Sequence, residues 1–162
     1  MHAPALISSL VRPAAAGVLM LSVATCGALA DVVTDWNTAM TNYVTPLSPV
    51  PLAPFVETRV YAMAHIAMFN AIDDATRKKH GTASADAAGA QAARDVLVHE
   101  FPGGTSAFDA LLATGLAAIP DGPAKTQGIV VGANAAAAML AARANDGSAT
   151  PPPPYIPGTE PG

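Results

Sequence analysis

From residue 31 onward, apolar positions recur at spacings of three and four, and proline or glycine interrupts them at intervals. That pattern predicts five helices and the breaks between them. The first is expected over 32–45, with Asp31 able to cap it and Val33, Trp36, Met40 and Tyr43 or Val44 at helical spacing. Pro46, Pro49, Pro51 and Pro54 then make an extended link, because proline lacks the N–H that a helix interior needs. The second helix is expected from 54 or 55 to 79, with Pro54 suited to a first helical position. Val60, Ala64, Ala67, Met68 and Ala71 cover one side of it, and Phe55, Ile66 and Phe69 lie elsewhere on the wheel. A helix apolar on most faces is expected to be central and wrapped by others. Arg77, Lys78, Lys79 and His80 place cations at its negative dipole end, and Gly81 is the candidate C-cap.

The third helix, 84–101, begins at a Ser84 N-cap with Asp86 in its first turn. Ala90, Ala93, Leu97 and Phe101 line one face, and Pro102-Gly103-Gly104 stops it. The fourth, 105–119, has Ser106 and Asp109 at capping-box spacing. Its apolar positions are Phe108, Leu111, Leu112, Gly115, Leu116 and Ile119. Pro120-Asp121-Gly122-Pro123 breaks the chain before a fifth helix over 123–146, ended by Gly147. Ile129, Ala133, Ala136, Leu140 and Ala144 form its expected apolar side. Gly128, Gly132 and Ala136, four apart, would suit a dimer face in a membrane. Lys125, Gln127, Asn134 and Arg143 interrupt any long apolar span, so close packing inside a globular bundle is the favoured reading. No segment alternates with period two. The expected fold is therefore all-α: about five helices forming part of a larger helical bundle.

The first 30 residues read as a targeting segment. Arg12 and the α-amino group give a weakly positive start, Ala14 to Thr25 is an apolar run of 12 residues, and Ala28-Leu29-Ala30 is a small-x-small cleavage site. The run is shorter than the roughly 20 residues that span a bilayer. Val23-Ala24-Thr25-Cys26 leaves lipoprotein processing as an alternative, although Thr25 departs from the usual small residue before the cysteine. An uncleaved N-terminal anchor is the other alternative. Three regions result: a signal peptide over 1–30, an alanine-rich helical scaffold domain over 31–147, and a Pro-rich linker or tail over 148–162. The expected location is secreted or periplasmic. No stable membrane span is expected after cleavage. The tail carries Pro151 to Pro154, Pro157 and Pro161 and should be extended and unpacked. A linker of this kind ordinarily leads on to another segment, so the chain reads as the front part of a longer protein.

Composition sharpens this picture. Hydrophobic residues make up 51% of the 162-residue chain, but 37 of those residues are alanine, so the fraction overstates the volume available for a core. The single cysteine excludes a disulfide framework within the chain, and it leaves with the leader if cleavage follows Ala30. The formal charge of −4 becomes −5 over 31–162, and no basic stripe offsets it, so nucleic acid is not an expected partner.

The candidate chemical groups are few. His65 has no second His or Cys one turn away and reads as a hydrogen-bonded interior histidine. Glu57 suits a first helical turn or a pairing with an arginine. Asp73 and Asp74 are adjacent and point about 100° apart on a helix, which does not converge on one ion. Arg77 to Lys79 could hold an oxyanion but suits a solvated helix end. Arg94 and Asp95, and His99 and Glu100, are sequence neighbours expected to diverge. Gly103-Gly104 lacks the Lys-Ser/Thr of a phosphate loop, and no serine sits in a Gly-x-Ser-x-Gly elbow. No residue is assigned a catalytic, cofactor-binding or metal-binding role. A small metal or oxyanion site at His65 or Arg77–Lys79 stands as a minor alternative.

Several runs together resemble the N-terminal helical part of bacterial vanadium-dependent haloperoxidase-like proteins, in the type 2 phosphatidic acid phosphatase superfamily. They are 31–37 (DVVTDWN), 59–72 (RVYAMAHIAMFNAI), 93–97 with Phe101-Pro102, 117–122 (AAIPDG), and 142–147 (ARANDG) followed by the proline run and Tyr155-Ile156-Pro157-Gly158. The resemblance implies an exported all-α protein. In such relatives Lys, two Arg, Ser and backbone N–H groups grip vanadate or phosphate, one His binds vanadium or attacks phosphorus, and a second His moves protons. The family signature of Lys-x6-Arg-Pro, Pro-Ser-Gly-His and Ser-Arg-x5-His does not occur here. The only Arg-Pro is Arg12-Pro13, in the leader. No cofactor is therefore expected in this chain, and vanadate is expected only in a full-length relative. The expectation is a truncated scaffold region, inactive as it stands. Its partner would be the missing C-terminal catalytic half or a second copy meeting it through an exposed apolar face. The alternative is a stand-alone, non-catalytic exported helical module that binds a protein partner through that face.

Overall fold

A computed structural model describes residues 31–44, 54–77, 82–151 and 154. The expected leader, the proline link over 46–53, the helix end at Lys78 to Gly81 and most of the Pro-rich tail lie outside the described residues. The protein is all-α: among the described residues there are five α-helices and no strand. They are α1 (Val32–Val44), α2 (Pro54–Thr76), α3 (Ala85–Glu100), α4 (Thr105–Ala117) and α5 (Pro123–Arg143), with a single 3-10 turn at Pro102–Gly104.

The ends follow local chemistry. The Asp31 carboxylate accepts from Val33 N–H at 3.2 Å and the Ser84 hydroxyl accepts from Ala87 N–H at 3.2 Å. Each satisfies an N–H that the first helical turn leaves without a partner. Pro54 and Pro123 occupy the first positions of α2 and α5, as proline's fixed φ favours. The expected capping box at α4 does not form. The helix begins at Thr105, so Ser106 lies inside it, Gly104 is the N-cap without a side-chain bond, and Asp109 meets Arg94 on α3. At the α4–α5 break, Gly122 takes a φ of +154°, a conformation that L side chains rarely adopt. The Lys125 ammonium closes this turn by donating to the Ile119 carbonyl at 3.3 Å and to Asp121 at 2.8 Å. Both α4 and α5 stop short of the expected ends, at Ala117 and Arg143, and Gly147 lies in the turns that follow α5, at a φ of +82°.

Cross-helix contacts fix the directions. Asn37 and Thr41, one turn apart on α1, meet His65 and Tyr61, one turn apart on α2, in the reverse order. The two helices are therefore antiparallel. Arg59 meets Glu100, and Ile72 lies by Gly89, so α2 and α3 are antiparallel as well. α3 and α5 are parallel: Gly128 sits on the Ser84 carbonyl and Gly132 on the Ala88 carbonyl. The Ser84 N–H also donates to the Ala124 carbonyl at 2.9 Å. The small-residue stripe thus serves close helix packing within the chain, as the polar interruptions of α5 indicate. No helix among the described residues is long and apolar enough to cross a membrane.

This packing revises two expectations. The central helix is α3, which touches all four others, and not α2. Ala87, Ala88, Gly89, Ala90, Ala92, Ala93, Val96 and Leu97 are all buried on it, because small side chains let neighbours approach from most directions. α2 buries Val60, Met63, Ala64, Ala67, Met68, Ala71 and Ala75 but turns Phe55, Val56, Ile66 and Phe69 outward. On α5 the buried stripe is Gly128, Val131, Gly132, Ala136 and Met139, about one residue round from the expected side. Ile129, Ala133 and Leu140 are half-buried and Ala144 is exposed. The two glycines, and not the largest side chains, decide which face of α5 docks. An aromatic cluster closes one end of the core. Phe108 lies 5.1 Å from Tyr43 and 6.4 Å from Trp36 between ring centroids, and Tyr43 lies 5.5 Å from Phe101. Gly104 runs beneath these rings, where a Cβ would come within 2.6 Å of Phe108 and 2.8 Å of Tyr43.

Candidate functional site

Several of the described charged groups pair with one another. Arg59, near the start of α2, donates from Nη1 to Glu100 at 3.1 Å, from Nε to Asp146 at 3.0 Å and from Nη2 to the Arg143 carbonyl at 3.3 Å. One guanidinium thereby ties α2 to the end of α3 and to the turn after α5. Its fork suits several acceptors at once. The Asp146 carboxyl is held down to about 2, chiefly by hydrogen bonds from Ser148 and then by Arg59. Arg94 joins α3 to α4 through Asp109 at 2.6 Å and also meets Asp95 on its own helix at 2.9 Å. Its guanidinium holds its proton more tightly than usual, first through Asp95, with burial opposing and Asp109 adding. Arg77 is likewise raised by Asp73, which it meets at 2.6 Å. Asp121 is lowered by Lys125.

Two expected divergences do not occur. Arg94 bonds its neighbour Asp95, and the His99 Nδ1 lies 3.2 Å from Glu100 Oε1. The backbone directions diverge, but these side chains are long enough to bend back to each other. His65 is hydrogen-bonded as expected, its Nε2 lying 3.1 Å from Asn37 Oδ1 and its ring beside Tyr61. It is half-buried at the α1–α2 seam and not in the interior. Glu57 is half-buried in the first turn of α2. Asp73 and Asp74 do not combine, since Asp73 turns to Arg77. Among the described residues no three His, Cys, Asp or Glu side chains gather as metal ligands.

Among the described residues Arg59, Arg77, Arg94 and Lys125 each face a carboxylate. Arg143 lines the same groove as Arg59.

What remains as a candidate site is apolar surface. Phe55 is 88% exposed and Phe69 67%, with Val56 and Ile66 also uncovered on α2. Beside Ile66 a groove of about 190 Å³ is lined by Arg59, Ala62, Met63 and Arg143. A second groove, of about 270 Å³, lies between α1, α3 and α4 over Trp36, Ala90 and Leu111, with Asp31, Asp35 and Asp86 around it. Sequence reasoning placed Phe55, Ile66 and Phe69 apart from the buried side of α2 but assigned them to a covered surface. The Arg59 junction was missed entirely. No family model, curated protein or solved structure matches this chain.

Proposed function

We propose that this chain is the scaffold part of an exported helical bundle related to the vanadium-dependent haloperoxidase-like and phosphatase proteins that it resembles. In that reading it supplies packing surface and not chemistry. The observation that carries it is the outer face of α2, where Phe55, Val56, Ile66 and Phe69 are uncovered while Arg59, Arg77, Arg94 and Lys125 are each matched by a carboxylate. Burying one such side chain is worth about 1.5–3 kcal/mol, so a face of four favours being covered. The missing Lys, Arg and His motifs would belong to the body that covers it.

Reading the gene beyond codon 162 tests this directly. In-frame codons for Lys-x6-Arg-Pro, Pro-Ser-Gly-His and Ser-Arg-x5-His are expected. A stop codon at that point would overturn the proposal. It would favour the second reading, a non-catalytic exported module that binds a protein through the α2 face, which the same uncovered side chains support.

A further inference from the structure

The groove between α1, α3 and α4 joins an apolar wall to negative charge that nothing in the chain balances. α1 and α3 are each antiparallel to α2, so they run parallel to each other, and Val32 packs beside Gly89. Their starts are therefore neighbours, which brings Asp31 and Asp35 of α1 and Asp86 of α3 to one groove. α4 runs back along α3, tied by Arg94 and Asp109, and adds Leu111, Gly115 and Ile119 to the wall. Asp31 is occupied by the Val33 N–H. Among the described residues no Lys or Arg meets Asp35 or Asp86, and none lines the groove. Lys125, which reaches the Ile119 carbonyl, is matched by Asp121. Trp36 lines the same groove and is 2% exposed. Its indole N–H meets no acceptor among the described residues, yet no side-chain nitrogen there is both sealed from solvent and unpaired. The N–H therefore reaches accessible surface, which Trp36 has at this groove.

We propose that this groove binds a small primary amine with an apolar body and a carbonyl, the chemistry of a hydrophobic amino-acid amide. The ammonium lies at the Asp35 and Asp86 carboxylates, the apolar body covers Leu111, Gly115 and Ile119, and the carbonyl accepts from the Trp36 indole N–H. Charge selects this class. The dipole ends at the starts of α1 and α3 would by themselves favour an anion, and the carboxylates reverse that sign. The C-terminal end of α4 adds negative potential beside them. A neutral apolar molecule gains nothing from this rim, and an anion is repelled by it. The groove, of about 270 Å³, lies just below the roughly 300–1,000 Å³ of clefts for drug-sized ligands, so its occupant is small. The site is separate from the outer face of α2, and the inference goes beyond the scaffold reading without resting on it.

Trp36 is the one tryptophan of the chain, so its fluorescence reads the groove directly. The test titrates the full chain with leucinamide at constant ionic strength. A saturable change in emission is expected at millimolar concentration, as the few atoms of this probe allow. N-acetyl-leucinamide keeps the side chain and carbonyl but loses the charge. It should bind about tenfold more weakly, because two modest ion pairs are lost, and anionic N-acetyl-leucine should not bind. Asp35→Asn and Asp86→Asn should each weaken leucinamide about threefold, the scale of an exposed ion pair. Glu57→Gln, outside the groove, should leave binding unchanged. Gly115→Leu should abolish the response with unchanged helical circular dichroism, because nothing lies within 4 Å of a Cβ there and the new side chain fills the groove. No saturable change up to about 50 mM, equal binding of N-acetyl-leucinamide, or unchanged binding in both Asp variants would each overturn the proposal. So would undiminished binding in a folded Gly115→Leu chain. None of these outcomes bears on the codons beyond 162, so this inference and the scaffold reading fail separately.

Discussion

Phe108 is the largest fully buried side chain among the described residues. It is 2% exposed, reaches both Trp36 and Tyr43, and is the one buried residue of α4. Phe108→Ala should lower the unfolding free energy by about 3–5 kcal/mol, the usual cost of truncating a buried Phe, measured by urea denaturation. Asp146 makes a different kind of contribution. Its folded carboxyl titrates near 2, below the ordinary 3.8, so its stabilising bonds to Ser148 and Arg59 are fully present above about pH 4. They are lost as pH falls toward 2. Thermal midpoints of Asp146→Asn and the parent chain should therefore differ at neutral pH and converge by pH 2. The Phe108 position could be read from its helical spacing. The Arg59 junction could not, because Glu100 and Asp146 lie 41 and 87 residues away and only the packed helices bring them together.

Among elements, the two kinds of glycine in helices separate cleanly. A Cβ at Gly132 would press on the Ala88 carbonyl and come within 2.8 Å of the Gln91 side chain, both parts of a rigid neighbouring helix. Gly132→Ala should cost about 1–3 kcal/mol through overpacking. Gly115 on α4 has nothing within 4 Å of that position. Gly115→Ala should raise stability by about 0.5–1 kcal/mol, since alanine loses less backbone freedom in a helix. Paired thermal melts of the two variants check both signs. The Gly128, Gly132, Ala136 spacing is visible in the sequence, and so is its meaning as a close contact. The face it selects on α5 is less visible, because Ile129 and Leu140 supply a competing apolar stripe. Only the depth of approach to α3 decides between them.

At the scale of the whole molecule, the succession of breakers and apolar periodicity is enough to place the five helices found among the described residues, where no strand occurs. It does not give the order of layers. When so much of the apolar content is alanine, an all-round apolar helix can be central or can bury one apolar side and leave another exposed. α3 does the first and α2 the second, and no wheel separates them. Hydrogen exchange should rank the helices accordingly. Amides of α3, covered from most sides, should exchange slowest. Those of α4, which buries Phe108 alone and leaves Leu111 and Leu112 half-covered, should exchange fastest among α2 to α5. Equal protection of α3 and α4 would mean that the bundle opens only as one unit.

The parallel pairing of α3 with α5 also bears on how the chain reaches this state. A parallel pair cannot form as a hairpin, so the Gly132–Ala88 contact joins positions about 44 residues apart only after α4 has doubled back. The tightest seam in the molecule is thus among the most non-local. Its formation is set by loop closure and not by neighbouring turns, which slows folding relative to a bundle of simple hairpins. Until it closes, the Val131, Ala136 and Met139 side chains of α5 stay uncovered.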